Sequence, residues 1–181
     1  GHATELVTPV SEAQIAAVLR NASSVLPVGA QSSLTGGATP MGETMLSTAK
    51  LRGIHIIGND RVRVQAGVTI AELDRELARS GKYYPPAPTF DGAFAGGTIA
   101  TNAAGAATFK YGSTRKWVEA VTVVLPSGDV LDIERGATHA HDDGHFDLQL
   151  TNRSIRVEIP RYRPPDVPKV SAGYWAEPGM D

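Results

Sequence analysis

Two uncharged runs of small residues carry the chemistry that this chain can do with its backbone. The first is Leu26-Pro-Val-Gly-Ala-Gln-Ser-Ser-Leu-Thr-Gly-Gly37, and the second is Ala95-Gly-Gly-Thr-Ile-Ala-Thr-Asn-Ala-Ala-Gly105. Gly, Ala, Ser and Thr let a main chain approach a large ligand closely, and consecutive N–H groups in tight turns form an anion-binding concavity without a cationic side chain. Ser32, Ser33, Thr98 and Thr101 add hydroxyl donors, and Asn102 adds an amide that both donates and accepts. One such segment alone reads equally well as a turn at Gly96-Gly97 followed by a small-residue helix in the core. Two of them in one chain point to two walls of one site. Neither G-x-G-x-x-G nor the P-loop pattern ending in Gly-Lys-Ser/Thr occurs, so the glycines need another explanation.

Other groups offer less. His139, His141 and His145 with Asp142 and Asp143 form an imidazole and carboxylate patch with the donor types of a divalent-metal site. A solvated loop is the simpler reading of that patch, so no metal is expected. Glu72 and Glu119 read as a helix cap and a surface charge, and His55, in an apolar stretch, as a structural residue.

The elements that position the two runs are readable in outline. Ser11 and Gln14 make a capping-box pattern ahead of Ile15, Val18 and Leu19, which predicts a helix over 11–21. Val25 to Val28 is a short strand ending at Gly29, Met45-Leu-Ser a second strand, and Arg61 to Ala66 a third, by its alternation. Thr69 and Glu72 cap a helix carrying Ile70, Leu73 and Leu77, with Gly81 placed as its C′ residue. Beyond this, Val118 to Leu125, the turn Pro126-Ser-Gly-Asp129 and Val130 to Ile133 spell a hairpin, and Ser154 to Ile159 another strand of an antiparallel sheet. A tail with Pro164, Pro165, Pro168 and Pro178 cannot stay regular for long.

These patterns predict an α+β chain: a small α/β subdomain over 1–115 with the cofactor loops, then the start of a mainly antiparallel subdomain over 116–181 with an irregular proline-rich tail. The chain stops at Met180-Asp181 directly after that tail, which reads as a truncated C-terminus. Its 181 residues, 41% of them hydrophobic, suffice for a core. A net charge of −2 without a Lys/Arg cluster disfavours nucleic acid and anionic membranes as partners. With no cysteine, thiol chemistry, Fe–S clusters and disulfides are excluded. No apolar run approaches the roughly 20 residues that span a bilayer, so no transmembrane segment is expected and a cytoplasmic location is the default.

The order Pro27-Val-Gly-Ala-Gln-Ser-Ser-Leu34, Val64-Gln-Ala-Gly-Val-Thr-Ile-Ala-Glu-Leu73, Tyr84-Pro-Pro-Ala-Pro88, Gly96 to Gly105 and Lys110-Tyr-Gly112 resembles the FAD-binding domain of the vanillyl-alcohol oxidase type. Within it the chain is most similar to the glycolate oxidase and D-lactate dehydrogenase subunit group, and Pro165 to Tyr174 resembles a segment those proteins also carry. The resemblance implies a two-subdomain flavin fold in a flavin-dependent oxidoreductase acting on a small 2-hydroxy acid, whose substrate is gripped largely by a following domain. It implies FAD held along Val28, Gly29, Ala30, Gln31, Ser32 and Ser33 at the pyrophosphate and along Gly97, Thr98, Thr101, Asn102 and Gly105 toward the isoalloxazine, with Pro86, Tyr111 and Gly112 flanking the cofactor. Partner subunits are also compatible with it. Val28 stands where these proteins often carry Arg, Ala30 and Gln31 replace glycines, and Ala87 sits where Asp is common. Relatives with covalent flavin commonly use a His in the first loop; Ser32 stands in that neighbourhood, so non-covalent FAD is expected. No catalytic residue is assigned. A second reading is a non-catalytic flavin-domain scaffold or remnant with weak or no FAD binding, favoured by the replaced glycines and opposed by Gly96 to Gly105. A third, a flavin reductase of a sugar nucleotide, is opposed by the tail at Pro165.

Overall fold

The computed structural model describes residues 1–86, 88–160, 166 and 176–181. Strands β1 (Glu5–Val7), β2 (Val25–Val28) and β3 (Thr44–Ser47) form a parallel sheet in the order β1-β3-β2, with Leu6 and Leu26 both in register with Met45. Parallel strands of one sheet need a crossover, and α1 (Glu12–Asn21) supplies it between β1 and β2, which flank β3. Ser11 caps α1 by accepting from Gln14 N–H at 3.3 Å; the Gln14 side chain takes Val10 N–H at 2.9 Å, one residue before the cap.

An antiparallel hairpin of β4 (Ile54–Ile57) and β5 (Arg61–Val64) follows. Helix α2 (Ile70–Ala78) starts at the reciprocal cap expected from its sequence: Thr69 Oγ1 accepts Glu72 N–H at 3.1 Å, and Glu72 Oε2 accepts Thr69 N–H at 3.0 Å. Its last residue is capped at Arg79, so Gly81, with φ +69, sits two residues past the cap instead of one. Leu73 and Leu77 pack with Val68 into a core joined by Ile54, Val62, Val64 and Tyr84. Each such aliphatic side chain taken fully out of water contributes about 1.5–3 kcal/mol.

Then come α3 (Ala95–Ala100), α4 (Thr108–Tyr111), a 3₁₀ turn at Thr114–Trp117 and the hairpin β6 (Ala120–Val124) and β7 (Val130–Glu134). Arg20 of α1 donates to the Gly128 carbonyl in the turn of that hairpin at 3.4 Å, tying the two halves of the chain together. The Ser154 strand is β9 (Ser154–Glu158), but it pairs with β8 (His145–Gln149) in a two-stranded sheet of its own. This corrects the reading of the histidine patch as a solvated loop: His145 opens β8 and is 5% exposed. The α+β class, parallel first and antiparallel after, is as expected. Ala87 and the tail residues Pro164, Pro165 and Pro168 lie outside the described residues. Among the described residues no helix is long and apolar enough to cross a membrane.

Candidate cofactor site

The first wall begins where β2 runs out. Val28 is buried, and its carbonyl accepts both the N–H of Thr48 at 3.1 Å and the Thr48 hydroxyl at 3.4 Å. Past it the chain leaves the sheet, and the N–H groups of Gly29, Ala30, Gln31, Ser32 and Ser33 donate to no acceptor among the described residues. Gln31 adopts φ +52, a left-handed conformation, and its Nε2 donates to the Ala38 carbonyl at 2.9 Å. Ser33 and Thr35 share a hydroxyl hydrogen bond at 2.9 Å, which closes the loop on itself. Unpaired amides on an exposed loop without charged side chains suit an anionic group.

The second wall is α3. Ala95 N–H donates to Val68 O at 2.8 Å and Gly96 N–H to Ala66 O at 3.0 Å, which fastens the helix to the segment leading into α2. Gly96 is required by this approach, since a Cβ there would lie 2.7 Å from the Ala66 Cβ. Gly97 is different: a Cβ would meet nothing within 4 Å, and its N–H has no acceptor among the described residues. The walls adjoin, with room for about one methyl group between them: a Cβ on Gly29 would stand 3.5 Å from the Phe94 ring, and Phe94 is the residue that opens α3.

The remaining expected residues separate into three environments. Thr98 and Pro86 are enclosed in the core, and the Thr98 hydroxyl donates to Ala95 O at 2.8 Å. Thr101, Asn102 and Gly105 hold the turn after α3. Thr101 donates its hydroxyl to Gly97 O at 2.9 Å, Asn102 at φ +44 accepts Arg115 N–H on Oδ1 at 3.0 Å, and Gly105 N–H donates to Thr108 Oγ1 at 2.7 Å. Ile99 and Asn102 then line one side of a cavity of about 270 Å³ whose other side is the β6–β7 hairpin. Across it Arg135 donates to the Arg115 and Val118 carbonyls, each at 2.7 Å.

Tyr111 and Gly112 lie in an aromatic group. The Tyr111 and Tyr83 hydroxyls are 2.9 Å apart, Trp117 Nε1 donates to Tyr111 O at 3.1 Å, and Lys110 Nζ sits 4.8 Å from the Tyr111 ring centroid. The Tyr83 hydroxyl, and then Lys110, hold the Tyr111 phenol below its ordinary range, while Tyr83 is raised by the same shared bond. Gly112, at φ +80, donates its N–H to Thr108 O at 2.8 Å.

Phe94, Thr48, Tyr83 and Trp117 went unmarked in the sequence. Phe94 directly precedes Ala95-Gly-Gly and was the one with a local signal. The expected acids behave as read: Glu72 caps α2, and Glu119, exposed, pairs with Arg61 at 3.5 Å.

The fold is shared with solved oxidases. A solved chitooligosaccharide oxidase superposes with a TM-score of 0.66 at 21% identity, over 74% of this chain and 30% of that one. The chain belongs to the FAD binding domain family, whose profile matches residues 3–134. D-lactate dehydrogenase of Anaerostipes hadrus is 38% identical over 152 residues, spanning 79% of this chain and 31% of that protein. D-lactate dehydrogenase of Archaeoglobus fulgidus is 35% identical over 151 residues, spanning 80% of this chain and 34% of that protein. The chain thus spans about a third of the length of these relatives. The resemblance drawn from the ordered motifs holds for the FAD-binding domain and for the likeness to D-lactate dehydrogenases and a glycolate oxidase subunit.

Proposed function

We propose that this chain is the FAD-binding portion of a flavin-dependent oxidoreductase that oxidises a 2-hydroxy acid of the glycolate or D-lactate type, with FAD held non-covalently. The observation that carries the reading is the set of unpaired main-chain amides from Gly29 to Ser33 beside the open Cα face and unpaired N–H of Gly97. That donor set fits a diphosphate: it supplies several N–H groups, the Ser32 hydroxyl and no carboxylate.

When bound, FAD supplies the hydride acceptor. This chain's residues bind and orient. Gly29 to Ser33 take the phosphate oxygens, Gly97 allows close approach, and Thr101, Asn102 and Gly105 shape the turn that continues the wall. Pro86 backs the site from the core, and Tyr111 and Gly112 flank it. The groups that grip the hydroxy acid and take its hydroxyl proton are assigned to a substrate domain outside these residues, in keeping with the share of the relatives' length spanned here. Non-covalent attachment is supported by a first loop, 29–37, with neither His nor Cys.

Mixing the chain with FAD, removing free flavin and recording the spectrum is the direct test. Retained flavin bands, with all FAD released to the supernatant on acid denaturation, support the reading. Flavin left on the precipitated chain overturns non-covalent binding, and a colourless protein after excess FAD overturns the site. A protein extended beyond Asp181 should show anaerobic flavin bleaching with D-lactate or glycolate; unbleached flavin with both overturns the substrate class.

A further inference from the structure

A second cluster lies away from the flavin walls, where β8 begins. His141 Nε2 stands 3.2 Å from Asp147 Oδ2, and His145 Nε2 stands 3.5 Å from the same oxygen. One ligand atom from each of these three residues falls within 4.8 Å of the others. Tetrahedral zinc with bonds of about 2.0–2.1 Å sets its ligand atoms about 3.3 Å apart, so the two shorter separations have the length of a coordination edge. The second is long for a hydrogen bond.

The His145 side chain is 7% exposed, and its Nδ1 lacks an aligned hydrogen bond even though Asp143 Oδ1 is only 2.6 Å away, off the N–H direction. A buried imidazole with a carboxylate 2.6 Å from Nδ1 and another facing Nε2 has the neighbours of a metal-bound histidine with its carboxylate support, the Nδ1 hydrogen bond being the part still to be aligned. Arg156 does not neutralise Asp147, although it is the cross-strand partner in register. It engages Glu158 at 2.6 Å and Asp143 at 3.4 Å. Among the described residues, the cationic or imidazole contacts of Asp147 are the two histidines.

The backbone fixes the cluster. His141 N–H donates to His145 O at 2.7 Å and Gly144 N–H to His141 O at 2.9 Å, closing a tight turn that Gly144 enters with φ +90. Ala140 is held by Met180 O at 2.8 Å and by Gly179 N–H at 3.0 Å. The spacing i, i+2 on a strand puts His145 and Asp147 on one face, and the turn folds His141 over them, its ring parallel to that of His145 at 4.2 Å. Because the two rings lie parallel, sharing one ion requires His141, which is half exposed, to tilt out of the stack while the buried His145 stays seated.

We propose that His141, His145 and Asp147 form a binding site for one divalent transition metal ion of the zinc type, with Asp143 supporting His145 and water completing the shell. The proposal does not rest on flavin binding.

Calorimetric titration with zinc chloride alone tests it, using the 181-residue chain carrying His2→Ala so that the amino-terminal His2 cannot compete. One equivalent should bind. His141→Ala and Asp147→Asn, both at surface positions, should each abolish that binding with the far-UV spectrum unchanged, and Asp143→Asn should weaken it about 10–100-fold. Cobalt added to the parent protein should give the intense visible bands of a four-coordinate ion, a readout that needs no variant. No zinc binding by the parent, equal binding by the His141→Ala/Asp147→Asn double variant, or only the pale spectrum of six-coordinate cobalt would overturn the proposal.

Discussion

Gly29 and Phe94 are neighbours across a gap that a single methyl group would fill: a Cβ on Gly29 would stand 3.5 Å from both Cβ and Cδ2 of Phe94. The loop after β2 thus lies beside the residue that opens α3. The stack beneath is continuous. Val28 O takes the N–H of Thr48, Gly67 passes so close to the Thr48 carbonyl that no side chain fits, and Ala66 O takes the N–H of Gly96. The two small-residue runs are therefore brought to one edge by backbone contacts alone.

Adjacent glycines of α3 should part company on mutation. Gly96→Ala forces its Cβ to 2.7 Å from the Ala66 Cβ, so overpacking should cost about 1–3 kcal/mol in urea unfolding. Gly97→Ala places its Cβ in open space and, as Gly to Ala inside a helix, should leave stability unchanged or raise it by about 0.5–1 kcal/mol. FAD retention should nevertheless fall in Gly97→Ala, because the methyl enters the volume assigned to the cofactor. A Gly97→Ala protein that keeps FAD as well as the parent would remove Gly97 from the site.

Gln31 holds φ +52, where an L-residue costs roughly 1–2 kcal/mol relative to glycine. Gln31→Gly relieves that strain but adds unfolded-state entropy worth about 0.5–1 kcal/mol and loses the bond to Ala38 O. Net stability should thus move little. FAD should bind several-fold tighter, since a residue without a side chain lets a phosphate approach the loop amides more closely. Fluorescence titration reads this directly, and weaker binding in the variant would contradict it.

Local chemistry made much of this legible. The Thr69 and Glu72 cap, the Ser11 cap and the turn at Pro126 to Asp129 each depend on hydrogen bonds within a few residues, so spacing alone reveals them. The β4 strand was missed because Ile54-His-Ile-Ile57 is apolar without alternation, and Ile56 and Ile57 remain 46% exposed. His145 was misread for a different reason: its neighbours Asp143, Gly144 and Asp147 are those of a solvated loop, whereas it is 5% exposed with the His141 ring stacked on it. Juxtapositions such as Gly29 with Phe94 join distant parts of the chain and leave no trace in local spacing.

Alkaline stability should report on Tyr84. Burial pushes its phenol above the ordinary 10.0, assisted by Asp74 and opposed by a hydrogen bond with Thr114. Between the ordinary value and the raised folded value the unfolded chain releases this proton and the folded chain keeps it, so stability is lost as pH rises through that window and is unaffected below it. Tyr84→Phe should therefore show a smaller drop in urea midpoint from about pH 8 to about pH 11 than the parent. An equal drop in both would mean that Tyr84 titrates normally in the folded chain.

Tyr111 and Tyr83 share one hydrogen bond at 2.9 Å and should titrate in opposite directions from the usual phenol value. The Tyr83 hydroxyl is the larger influence lowering Tyr111, with Lys110 next. Removing that hydroxyl in Tyr83→Phe should move Tyr111 back up toward its ordinary range, as followed by isotope-labelled tyrosine NMR. Lys110→Ala should act in the same direction. The Lys110 influence is chiefly a side-chain hydrogen bond to Tyr111 and only in its smallest part the ammonium charge, so both shifts should persist in high salt. If Tyr111 titrates at the same pH with and without the Tyr83 hydroxyl, the shared bond does not form in solution and the flank of the proposed cofactor site is arranged differently.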